Sequence, residues 1–177
     1  MEKQENYIVT IEERTQKILE SLDSCIKPSG LIDATKLATS FGFEVVEQKE
    51  IPDLYSGIIT CDSNGKQMAI NNNMSKESKR YSITYLLSAY LLYYQKQDFF
   101  TFKHLISNED FEVSYMTRLL LIPESVIEKV YPNAIKDQNL LANIFQVPYN
   151  VMEQRLKEIK ETKHQVLIKK LMTSKNK

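Results

Sequence analysis

The sequence predicts an α+β fold in a single domain: a small antiparallel sheet, a buried central helix and a helical C-terminal part. Three observations predict it. The stretch Tyr81 to Tyr94, YSITYLLSAYLLYY, passes without a charge, a Gly or a Pro, and its apolar side chains surround the helical wheel. Such a helix is a buried one, and it is too short for a bilayer, which needs about 20 apolar residues. Before it, short β-rich stretches flank Asp62-Ser-Asn-Gly65, where Asn-Gly is a hairpin signal. After it, apolar residues return at helical spacing to the end. Helices, a small antiparallel sheet, then helices is the order of an α+β domain.

The elements follow in chain order. Thr10-Ile-Glu-Glu13 has the capping-box pattern, and Ile11, Thr15, Ile18, Leu19 and Leu22 follow at helical spacing, so a helix is expected over about 10–25, ended by Lys27-Pro-Ser-Gly30. A short helix is expected near Asp33–Phe41, with Gly42 as its stop. Phe43–Glu47 reads as a strand. Ile51 to Gly57 reads as a loop. Ile58–Cys61 and Gln67–Asn71 form the hairpin. Ser75 caps the central helix, expected from Lys76 to Tyr94. Asn108-Glu-Asp110 opens a helix whose apolar set is Phe111, Tyr115, Leu119 and Ile122, stopped by Pro123. Helices at Glu124–Val130 and Gln138–Phe145 follow, then a last one from Pro148 or Tyr149.

Composition excludes several classes. The 23 basic and 23 acidic residues in 177 give no global field for nucleic acid or membrane. From Arg155 onward, however, eight Lys/Arg stand against two Glu, a net +6 that leaves −6 for the rest. Lys160, Lys163, Lys169 and Lys170, just after Lys157, make 158–177 a basic helix or tail, and Val166, Leu167, Leu171 and Met172 give it an apolar side. The N-terminus lacks a signal-peptide pattern, and Cys25 and Cys61 lack CxxC spacing, so a cytoplasmic protein with free thiols is expected; pairing of the two stays open. No GxGxxG, GxxxxGK[ST] or GxSxG motif is present. The pair Cys61 and His104 could supply a nucleophile and base, but nothing places them together. The tyrosines at 81, 85, 90, 93 and 94 could stack on bases, but at helical spacing they read as core, with Thr84, Ser88 or Glu112 as hydroxyl partners.

Three segments together resemble the ImmA/IrrE family of zinc metallopeptidases, over about residues 31–157. Ser82-Ile-Thr-Tyr-Leu-Leu-Ser-Ala-Tyr-Leu-Leu-Tyr93 is similar to the family's T-I-A-H-E-L-G-H-Y-L-L-H helix. Glu112 to Pro123 is similar to E-x-A-N-x-F-A-x-x-L-L-M-P. Leu141-Ala142, Phe145, Val147, Met152 and Arg155-Leu156 match its C-terminal segment. The resemblance implies a zincin-like fold. It also implies zinc, held by two His at i and i+4 on one helix face with a Glu between them as general base. Here those places hold Tyr85, Ala89 and Leu86. Only Glu112 answers to the third ligand, and the chain's two histidines are His104, read in a loop, and His164.

A pseudopeptidase is the implied reading: no metal or cofactor, no catalytic residue, and a partner cleft drawn from Tyr85, Tyr90, His104 and Glu112. Tyr85 and Glu112 are expected to face each other and bond where the metal stood. The resemblance implies a protein partner, a helix-turn-helix repressor of phage type in a bacterial mobile element or prophage. The alternatives are a hydrolase with a relocated site, and DNA binding through the helix-turn-helix-like Leu140–Leu156, where Asn150 is the one base reader.

Overall fold

The computed structural model describes residues 2–21, 29–105, 110–130 and 137–174, with side chains at 8–21, 29–104, 110–129 and 137–162. Its elements are α1 (Glu2–Ser21), α2 (Ala34–Ser40), β1 (Phe43–Gln48), β2 (Tyr55–Asp62), β3 (Gly65–Asn71), α3 (Lys76–Ala89), a π-helical turn (Tyr90–Tyr94), β4 (Phe100–Leu105), α4 (Phe111–Leu121), α5 (Glu124–Val130), α6 (Gln138–Phe145) and α7 (Tyr149–Ser174).

Local chemistry sets most boundaries. Asp33, Ser75, Asp110 and Asp137 each accept a backbone N–H from the first turn of α2, α3, α4 and α6, satisfying donors the helix cannot pair itself. Gly42 ends α2 in the left-handed region at φ 84°, where a side chain would be strained. The hairpin turns at Ser63-Asn64, with Asp62 opposite Gly65.

The sheet order is β1-β3-β2-β4. β2 runs antiparallel to β3 and β4, but β1 runs parallel to β3, Phe43 opposite Lys66 and Gln48 opposite Asn71. The sheet is therefore mixed, not antiparallel as expected. The hairpin occupies one edge of β3, so β1 pairs with the other edge.

β4 also differs from expectation: the aromatic stretch after Asp98 is a strand, and His104 lies on it, not on a loop. Tyr55-Ser-Gly57, expected in a loop, begins β2, and the register shifts between Tyr55 and Gly57. Such a bulge leaves one residue unpaired and turns it. Here that residue is Ser56, which is buried.

Helix α3 lies across the sheet and is buried without interruption from Arg80, through the start of the π-helical turn, to Leu91. It separates two apolar clusters. Ile83, Leu86, Leu87 and Leu91 pack with Phe43, Ile59, Met68 and Ile70. Tyr81, Tyr85 and Ala89 pack with Val113, Ile122, Leu141, Phe145 and Met152 from the helical half.

Contact between helix and sheet is close at Gly57, where an added Cβ would lie 2.8 Å from the Ala69 carbonyl oxygen and 3.0 Å from Leu86 Cδ1. Buried hydroxyls are satisfied along their own helices: Thr15, Thr84, Ser88 and Thr117 each donate to the carbonyl four residues back.

Two further expectations are corrected. α1 begins at Glu2, so Thr10 sits inside the helix and does not cap it; Ile11 and Thr15 are its buried contacts. The expected end of that helix, with Leu22, Cys25 and Lys27, lies outside the described residues, as do Asn108 and Glu109. In α4 Phe111 is 56% exposed and Leu119 only half-buried; Val113, Met116 and Leu120 are the core side chains. Tyr115 and Ile122 are buried as expected; Phe111 and Leu119 are not, because α4 is packed against α1, α3 and α7 and its buried surface is wider than one stripe. No described helix is long and apolar enough to cross a membrane.

Candidate functional site

The site expected from the sequence lies at the middle of α3, where it meets β4 and the start of α4. Tyr85 is 1% exposed, and Leu86 and Ala89 are fully buried. Leu86 points into the sheet-side cluster, while Tyr85 and Ala89 face the helical half. The Tyr85 ring stacks on the His104 imidazole, centroids 3.7 Å apart and planes inclined by 16°. Its hydroxyl accepts a hydrogen bond from the Asp110 backbone N–H at 2.8 Å, at the entry to α4.

Glu112 takes its bond from a different tyrosine. The Tyr93 hydroxyl donates to Glu112 Oε2 at 2.8 Å and lies 3.1 Å from Asp110 Oδ1. Burial, together with these two acceptors, pushes the Tyr93 hydroxyl far above its ordinary range and keeps it protonated. The expected direct pair of Tyr85 and Glu112 is thus divided between Tyr85 with Asp110 and Tyr93 with Glu112. The π-helical turn changes the helical register just before Tyr93, a feature periodicity does not foresee.

The four-residue cleft does not form. Tyr85, Tyr90 and His104 are all buried, and only Glu112 reaches solvent in part. Five helical residues turn the chain by about 140°, so Tyr90 faces away from Tyr85. It meets Phe43 edge-on at 5.0 Å, and its hydroxyl accepts from Lys66 Nζ at 2.8 Å. Thr84 and Ser88, expected to serve tyrosine hydroxyls, donate to their own helix, and Thr117 joins Ser88 across the α3–α4 contact at 3.1 Å.

Sequence reasoning missed Ser56. Its Oγ lies 2.5 Å from His104 Nδ1. This could resemble a nucleophile and its base, but the two are 1% and 3% exposed, and Tyr85 covers the imidazole face. No substrate atom could reach Oγ. Burial lowers the His104 pKa to about 4, so the ring is neutral, and its buried Nε2 has no hydrogen-bond partner among the described residues. The only signal for this pair was Gly57, which marks the bulge. Cys61 pairs with Phe100, four positions along the ladder from the Gly57–His104 pair, about 13 Å away, so Cys61 and His104 do not form a dyad.

These residues do not fit zinc. A catalytic site needs three protein donors of N, O or S type. Leu86 and Ala89 offer hydrocarbon, Tyr85 offers a phenol already engaged with Asp110, and Glu112 is bound by Tyr93. Among the described residues no group of three His, Cys, Asp or Glu could hold a metal ion.

Residues 39–157 match the peptidase M78 family, described as the IrrE N-terminal-like domain, and the chain belongs to this family. A solved structure described as a Mycobacterium tuberculosis transcriptional regulator has a similar fold, with a TM-score of 0.58 at 14% identity. The match covers 85% of this chain and 47% of that one, so this chain spans about half its length. No curated protein matches the chain significantly.

Proposed function

We propose that the protein is a zinc-free member of its family that acts by binding a protein partner and has no peptidase activity. One observation carries this reading: the three places of the metal-binding helix motif hold Tyr85, Leu86 and Ala89, all sealed in the core. A Tyr stacked on a neutral His fills the place where the resemblance puts a metal ligand. The partner class is a helix-turn-helix repressor in the cytoplasm of a bacterium carrying a mobile element. The family membership and the regulator with a similar fold support it.

The test uses the full chain and a helix-turn-helix repressor encoded beside its gene. The expected result is a stable complex, an intact repressor and weakened operator binding. Elemental analysis after dialysis should give far less than about one zinc per chain, the stoichiometry of a catalytic site. Chelator-sensitive cleavage of the repressor, or one zinc per chain, would overturn the reading.

A further inference from the structure

A cavity of about 400 Å³ opens between α1, the α4–α5 corner and α7, within the size range of ligand pockets. It is remote from the tyrosine–histidine stack. Glu12, Glu13, Thr15, Gln16 and Leu19 of α1 form one wall, and Thr162 belongs to α7. All six lie outside the family-matched stretch 39–157. The opposite side, Leu119, Pro123, Glu124, Ser125 and Arg155, lies inside that stretch.

Its chemistry is two-signed. Arg155 lines it and is only 5% exposed. The Arg155 Nε donates to the Ile122 carbonyl at 3.1 Å. Its counter-ion is shared. Arg118 takes Glu158 Oε1 with two nitrogens, at 2.8 and 2.6 Å. Glu158 Oε2 is left 3.7 Å from Arg155 Nη1 and makes no hydrogen bond among the described residues. Two buried guanidinium groups thus share the Glu158 carboxylate, and Glu124 and Glu12 also act electrostatically on Arg155. Around Arg155 stand the carboxylates of Glu12, Glu13 and Glu124, with Leu19, Leu119 and Pro123 as hydrocarbon between them. Glu12 is fixed by the Tyr115 hydroxyl.

From this cavity and its buried arginine we infer a binding site for a basic α-amino acid, free or as the C-terminal residue of a peptide. The ligand carboxylate pairs with Arg155, and its ammonium and side-chain cation meet the three glutamates. The aliphatic stem covers Leu19, Leu119 and Pro123. The ligand's extra positive charge matches the acidic excess of the lining.

Calorimetric titration of the full chain with L-arginine and L-lysine tests it. Binding is expected in the micromolar to sub-millimolar range, the order of about 4–8 kcal/mol. Agmatine, which lacks the carboxylate, and Nα-acetylarginine, which lacks the ammonium, should each bind at least about tenfold more weakly, about 1.4 kcal/mol. Glutamate should not bind. Glu13→Gln with Glu124→Gln should weaken arginine at least about tenfold. A tripeptide ending in arginine that binds as tightly as the free amino acid identifies a peptide terminus; one that does not bind identifies the free amino acid. No binding of either at about 10 mM, a concentration that would detect even a millimolar site, overturns the inference. So does equal binding of agmatine, or a double variant that binds arginine like the parent.

Discussion

The two sides of α3 solve the same packing problem differently. Toward the sheet, Ile83, Leu86, Leu87 and Leu91 meet Ile59, Met68 and Ile70, hydrocarbon against hydrocarbon. Toward the helical half, Tyr85 lies on His104, and Tyr93 reaches Asp110 and Glu112. The first side is held chiefly by burial, with the Lys66–Tyr90 bond at its end. The second fills its volume with rings and then has to satisfy their polar atoms, and among the described residues His104 Nε2 finds no partner. A helix can therefore exchange the chemistry of one face completely while the other keeps the fold.

The contrast can be broken by mutation, and the sheet side should give the larger effect. Leu87→Ala removes a fully buried side chain and should cost about 2–5 kcal/mol, read as a lower urea midpoint. A change within error would mean that the sheet side is not the anchor.

His104 comes next. Its folded pKa of about 4 lies below the ordinary value of 6.5, so the unfolded chain binds the extra proton between these pH values. Stability from keeping the ring neutral is complete above about pH 6.5 and is lost as pH falls toward 4, by roughly 3 kcal/mol. His104→Phe keeps a ring under Tyr85 and should remove that part of the pH slope. Parallel stability–pH curves for parent and variant would refute the assignment.

Smaller effects sharpen the polar side. Tyr85→Phe retains the stack but strips the acceptor from the Asp110 N–H, for about 1 kcal/mol. In double-mutant cycles Tyr93→Phe and Glu112→Gln should couple by about 0.5 kcal/mol, a low figure because Tyr93 is 40% exposed. Tyr85→Phe and Glu112→Gln should be additive within about 0.3 kcal/mol. Coupling in the second cycle and none in the first would restore the pair expected from the sequence.

What could be read from the sequence was whatever local chemistry decides. Ser75 and Asp33 cap helices because their side chains reach the first turn, and the uncharged run after Arg80 has to be buried. The family resemblance rested on side-chain types at fixed spacing, and residues 39–157 carry it. Features set by distant partners were hidden. β1 gives no sign of its direction, because parallel pairing with β3 depends on which edge the hairpin leaves open. Thr10 looked like a cap because the capping-box pattern recurs inside a helix that is already under way at Glu2. The Ser56–His104 contact arises from a bulge in one strand and a residue 48 positions away. The Tyr93–Glu112 bond depends on a π-helical turn that no propensity announces.

The hydroxyls of Thr84 and Ser88, returned to the carbonyls of their own helix, bear on how freely this chain can change over generations. A side chain that meets its polar needs locally places no demand on its neighbours. Thr84 can give way to Val, and Ser88 to Ala, without a matching change elsewhere; only the 3.1 Å link from Thr117 to Ser88 asks for a second substitution. Along this seam the sequence can drift one residue at a time. At Tyr85 and His104, where each ring is the other's wall, it has to move in pairs.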